Sequence, residues 1–142
     1  MPHLQSPELQ AWAAGFPLVL LHGGVTLLIL IAGAALYALI TPHREIQLIR
    51  DGNAAAAVSF GGILVALAIP LSVSLVASKS LLDIGLWGAA TLFVQLLVFR
   101  LTDLVLHGLP QRIREGEMAA AALLVCAKIA TALVLAASVA AA

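Results

Sequence analysis

The sequence has 142 residues, 63% hydrophobic and 10% charged, with lysines and arginines balancing aspartates and glutamates to a formal net charge of zero. That apolar excess lies far outside the range of water-soluble domains and marks a membrane protein. The neutral balance, with no interleaving of basic and aromatic residues, excludes nucleic acid as an expected partner. The single cysteine, Cys126, sits in an apolar run, which excludes an intrachain disulfide and a CxxC-type metal site and reads as small packing.

Residues 1–15 carry no lysine or arginine, so they lack the basic region of a cleaved secretory signal, and no cleavage is expected. Ser6, Pro7 and Glu8 read as an N-cap, a first helical residue and an acid at the positive helix end. This stretch is expected as a periplasmic tail or a short interfacial helix, with Leu4, Leu9 and Trp12 toward lipid.

A membrane crossing takes about 20 mostly apolar residues, at about 1.5 Å of rise each. Four segments meet this: 16–40, 54–77, 81–106 and 118–142. The fold class is therefore all-α, a polytopic membrane protein of four transmembrane helices in one domain, 16–142. The separators are "TPHREIQLIRDGN" at 41–53, "SKS" at 78–80 and "HGLPQRIREGE" at 107–117. In the first, Thr41 and Pro42 suggest a helix start, Ile46 and Ile49 share a face, and Gly52 suits a left-handed stop. Gly116 can do the same after "PQRIRE".

The chain also repeats itself. "IRDGNAAAA" at 49–57 returns as "IREGEMAAA" at 113–121, an offset of 64 that lays the first span nearly on the third. Repeat one, 16–77, and repeat two, 81–142, are expected as two helical hairpins in parallel orientation, related by an axis along the membrane normal. Cytoplasmic loops retain positive charge. The two longer separators hold Arg44, Arg50, Arg112 and Arg114, beside His43, whereas the other side offers only Lys79. The longer separators are therefore expected in the cytoplasm and both termini in the periplasm.

The stretch "TPHREIQLIRDGNAAAAVSFGGILVALAIPL" at 41–71, with "QLLVF" at 95–99, resembles the small YjfL-type inner-membrane proteins of bacteria, domain of unknown function 350. The resemblance covers nearly the whole chain after the N-terminal tail. It implies a bacterial inner-membrane location and a duplicated four-helix architecture; it brings no activity and no site residues.

Lys128 raises the chemical question. Ten residues into the fourth span, it stands about 15 Å deep, near the bilayer midplane, where insertion costs about 2.5–3.5 kcal/mol. Its stem of about 6 Å cannot bring the ammonium to water, so it needs a partner or trapped solvent. Thr131, Leu135 and Ser138 lie on its side of the helix, and Gln95 on the third span lies at similar depth, on a face with Gly88, Thr91 and Thr102. In the first span His22, Thr26, Gly33 and Tyr37 align; in the second, Ala55, Ser59, Gly62, Ala66 and Pro70 form a small-residue face suited to close approach. These faces are expected to turn inward or toward another subunit, with Lys128, Gln95, Thr91, Thr131, Ser138, His22 and Thr26 as the intramembrane polar core or pathway. Arg100 and Asp103, three apart, are expected to pair. Asp83 reads as a helix-end acid, and Ser72 and Ser74 as groups able to re-satisfy backbone freed by Pro70.

No GxSxG, HExxH, P-loop or paired intramembrane carboxylate occurs, so neither an enzyme nor a metal or other cofactor is expected. Two readings stand. In one, copies of the chain assemble into a homo-oligomer whose polar faces line a channel-like or transport pathway. In the other, the protein is a membrane scaffold whose cytoplasmic arginines recruit a protein partner or anionic lipids.

Overall fold

A computed structural model of the chain describes residues 6–41 and 44–142. Among them are six α-helices: α1 (Pro7–Ile40), α2 (Glu45–Arg50), α3 (Ala54–Ala77), α4 (Leu81–Val105), α5 (Leu109–Arg114) and α6 (Met118–Ala141). α1, α3, α4 and α6 are long and apolar enough to cross a membrane. Their outer surfaces carry exposed Leu, Ile, Val, Phe and Trp, as lipid contact requires.

Local chemistry sets the helix ends. Ser6 Oγ accepts from the Leu9 amide at 3.4 Å, with Pro7 in the first turn. Residues 7–15 then continue without a break into α1, so the expected tail or separate interfacial helix is instead the first turns of the first long helix; Leu4 lies outside the described residues. Ser80 Oγ accepts from the Asp83 amide at 3.2 Å while the Asp83 carboxylate accepts from the Lys79 amide at 3.0 Å, so Asp83 is the helix-end acid expected of it.

The first corner corrects the sequence reading at its start. Thr41 ends α1, its amide donating to the Tyr37 carbonyl at 3.0 Å, and α2 starts only at Glu45, after Arg44 in the left-handed region at φ 47°. Pro42, expected to open this helix, lies outside the described residues. The ends of the two short helices do match. Gly52 (φ 87°) donates to Ile49 O and Asn53 to Leu48 O; Gly116 (φ 85°) donates to Ile113 O and Glu117 to Arg112 O. This pair of bonds needs a left-handed residue, which glycine adopts without a Cβ penalty.

α1 and α4 finish on the same face as α2 and α5. There Arg100 Nη1 donates to the Ile40 carbonyl at 3.3 Å, and Asn53 Nδ2 donates to the Ile113 and Arg114 carbonyls at 3.0 and 3.1 Å. At the opposite face Ser74, Ala77, Trp87, Val139 and Ala142 surround one cavity. α3 is the central helix and packs most extensively on α6, which runs in the same direction. Its small face, Ala55, Ser59, Gly62, Ala66 and Pro70, is buried as expected. A Cβ on Gly62 would sit 2.5 Å from both Val125 methyls, so glycine is what lets the two backbones approach. Pro70 lies within the continuous α3, but Ser72 Oγ donates to Ile69 O at 2.6 Å and Ser74 Oγ has no partner among the described residues, so neither serine meets the Ala66 carbonyl that proline frees.

Candidate functional site

Lys128 is the most completely buried cation among the described residues, at 0% exposure. In a helix the Cα–Cβ bond tilts toward the N-terminus, and the α6 N-terminus lies on the short-helix face. The stem follows that direction. Nζ stands 2.8 Å from Asp103 Oδ1, an ion-pair contact without the alignment of a hydrogen bond, and it donates to Tyr37 Oη at 3.1 Å. The ammonium also lies 4.9 Å from the Tyr37 ring centre and 5.3 Å from that of Phe99. Tyr37 and Phe99 meet edge to face, with centres 6.1 Å apart. A charge from α6 is thus held by residues of α1 and α4.

The line of donors continues. Tyr37 Oη donates to Glu45 Oε1 at 3.5 Å, and Ser59 Oγ donates to the same oxygen at 3.3 Å. Glu45, the first residue of α2, is buried, and its Oε2 has no partner among the described residues. Burial pushes the Glu45 carboxyl above its ordinary range; the Lys128 ammonium and the Ser59 hydroxyl pull the other way. Two carboxyls therefore share one ammonium in a protein interior, where charges interact far more strongly than in water. With all three ionised the group carries one net negative charge, so it can take up a proton without creating a net positive one.

The expected Arg100–Asp103 pair is not formed: Asp103 contacts Lys128, and Arg100, at the exposed surface, reaches the Ile40 carbonyl. The buried ammonium has no water to compete for the carboxylate, whereas Arg100 does. Gln95 is fully buried, but it does not join Lys128, and neither of its amide atoms has a hydrogen-bond partner among the described residues. Thr91 is buried on the same face. Thr131 Oγ1 donates to the Lys128 carbonyl at 2.8 Å and Ser138 Oγ to Val134 O at 3.0 Å. Both line an open, mostly apolar groove between α4 and α6, with Val98 and Leu135, rather than the interior. Thr26 Oγ1 donates to the His22 carbonyl at 2.9 Å, and both residues are only partly buried, apart from the cluster.

Among the loop residues, Arg44, Arg50, Arg112 and Arg114 are all exposed; His43 lies outside the described residues. Arg112 forms an ion pair with Glu117, which holds the Glu117 carboxyl below and the Arg112 guanidinium above its ordinary range. Sequence reasoning missed Glu45 and Phe99, and gave Asp103 the wrong partner. The signal for Glu45 was present: Glu45, Leu48 and Ile49 share a face of α2, so a carboxylate stands on an otherwise apolar, inward-facing stripe. The signal for Asp103 was the backward lean of a helical side chain, which places a lysine's partner nearer its helix start than its own Cα.

The Domain of Unknown Function (DUF350) family model matches residues 11–139. Two curated relatives, the UPF0719 inner membrane protein YjfL of Escherichia coli strain K12 and that of Escherichia coli O157:H7, are each 40% identical over 85 residues. Those residues are 60% of this chain, and the match spans 64% of each relative's length. No solved structure matches the chain.

Proposed function

The chain belongs to the DUF350 family, and on that premise we propose that it is a transport-associated protein of the bacterial inner membrane whose Lys128–Asp103–Tyr37–Glu45 cluster couples proton uptake to its work. One observation carries this reading: a fully buried ammonium shared by two carboxyls and joined to the second through a tyrosine hydroxyl. Ionisable groups buried inside a membrane helix bundle are costly, and where they occur they mark ion and proton pathways. A proton arriving at Glu45 relieves the excess negative charge, weakens the hold of the carboxyls on Lys128, and shifts the balance among α1, α2, α4 and α6 without any change of fold.

Thr131 and Ser138 line the outer groove between α4 and α6 and not the interior of the four long helices. A solute path therefore belongs between subunits of a homo-oligomer, with the arginine-bearing corners in the cytoplasm and both termini in the periplasm. In this reading no catalytic step and no cofactor is involved.

The competing reading, a membrane scaffold, draws on the same cluster: its bonds fix four helices to one another, which serves assembly even if no proton moves. Proteoliposomes carrying an internal pH dye separate the two. The coupling reading expects proton movement that Glu45→Gln and Lys128→Met both abolish while subunit cross-linking is preserved. No flux with the wild type, together with loss of the oligomer in Lys128→Met, favours the scaffold. Orientation has its own check, an alkaline phosphatase fusion after Ala142, which should be active; activity from a fusion at Arg50 would reverse the topology.

A further inference from the structure

Where α4 meets α5, on the short-helix face, a cavity of about 260 Å³ is lined by Arg100, Asp103, Leu104, His107, Gln111 and Arg114, among others. Its one acid is already engaged from behind by the Lys128 ammonium at 2.8 Å. The charge it presents outward is therefore set by Arg100 and Arg114, with Gln111 and His107 also in the lining. Arg112, on the same short helix, is occupied by Glu117 and lies outside the lining. Neither guanidinium of this lining has an acid partner among the described residues, though Arg100 Nη1 donates to the Ile40 carbonyl.

The cavity sits at the end of a helix long enough to span a membrane, at the level of lipid headgroups. Leu101, beside Arg100, is exposed on the outer side of α4, and one to two turns deeper along the same helix so are Leu97 and Phe93. Cationic donors at headgroup depth above an apolar strip match a phosphate group that carries acyl chains, not a free anion. Arginine is suited to this because its planar fork binds phosphate oxygens in pairs.

We propose that the α4–α5 elbow is a binding site for the phosphate headgroup of an anionic phospholipid, held by Arg100 and Arg114 with its acyl chains along Leu101, Leu97 and Phe93. The site stands independently of the coupling reading, since Asp103 serves it only as a neutralised wall. It does place a lipid phosphate beside the carboxylate that holds Lys128.

Native mass spectrometry of the full chain in uncharged detergent, with equimolar phosphatidylglycerol and phosphatidylcholine, tests this. The wild type should retain phosphatidylglycerol preferentially, and Arg100→Gln with Arg114→Gln should remove the preference, each arginine contributing about fivefold. Arg114→Gln alone, a change at an exposed side chain, should cost its share with an unchanged unfolding midpoint, while Arg50→Gln on α2 should leave the preference intact. The proposal is overturned if the wild type shows no preference, if the double variant keeps it, or if Arg50→Gln lowers it as much as Arg114→Gln. Loss of the preference in millimolar inorganic phosphate would show an anion site without lipid selectivity and overturn it equally.

Discussion

At the first corner Gly52 and Asn53 close α2 with the same two backbone bonds that Gly116 and Glu117 use to close α5, yet Glu45 opens α2 where Leu109 opens α5. The contrast extends through the cluster. At the offset that relates Gly52 to Gly116, Tyr37 corresponds to Leu101, Asp103 to Leu39 and Lys128 to Leu64. Leu39 and Leu101 are well exposed on the outer surface, whereas every member of the cluster is largely enclosed. Similar corners thus carry different chemistry. The first half supplies a tyrosine and a carboxyl, the second a carboxyl and an ammonium, and one polar site results where two matching halves would have made two. The comparison teaches that the backbone features common to the two corners shape the turns, and that the residues which differ around them make the site.

The comparison breaks most sharply at Lys128. Lys128→Met leaves Asp103 and Glu45 facing an apolar interior without a counter-charge and should destabilise the chain by about 3–5 kcal/mol, read by chemical unfolding in detergent. Leu64→Met, the same new residue at the corresponding place, should cost less than about 1.5 kcal/mol. Equal effects would remove the asymmetry. Close packing gives the next largest contrast, between neighbouring glycines of α3. Gly62→Ala drives a methyl against Val125 and should cost about 1–3 kcal/mol, whereas an added Cβ at Gly61 meets nothing within 4 Å, so Gly61→Ala should be neutral or slightly stabilising.

Tyr37→Phe keeps the ring against Phe99 but removes the hydroxyl between Lys128 and Glu45, and should cost about 1–3 kcal/mol, measured in the same way. Glu45 gives an effect defined by pH. Burial raises its carboxyl, so the folded chain binds this proton more tightly than the unfolded chain. The stability it contributes is fully present below the ordinary carboxylate value of about 4.3 and declines as the pH rises through the raised one. Glu45→Gln should therefore flatten the stability–pH profile and exceed the wild type on its alkaline side only. A wild-type profile that instead climbs over that range would contradict the assignment. Arg112→Gln, which breaks an exposed pair with Glu117, should change stability least, and the change should vanish at high salt.

Much of the scaffold was legible in the sequence because it rests on composition and spacing. Four apolar runs, the Ser6 cap, the left-handed stops at Gly52 and Gly116 and the small face of α3 all follow from local chemistry. The start of α2 was not legible, because Thr41 and Pro42 have the form of a helix start while Tyr37 takes the Thr41 amide into the end of α1. At the site, the need of Lys128 for shelter could be read from its depth. The identity of the shelter could not, since it depends on which helices lie beside α6. Helical phase put Thr131 and Ser138 with Lys128, but the roughly 60–80° between their directions leaves them in the outer groove while Lys128 reaches inward. Asp103 and Arg100 are neighbours in sequence, and local spacing hid the longer-range contact that removes more buried charge.

A double-mutant cycle on Lys128→Met and Asp103→Leu, read as unfolding free energy in detergent, bears most directly on the buried pair. Each single change should be strongly destabilising, and the double variant should recover much of the loss, with a coupling energy of about 2 kcal/mol or more. Additive losses, with no recovery in the double variant, would mean that the two groups do not meet in the folded protein and would contradict the account.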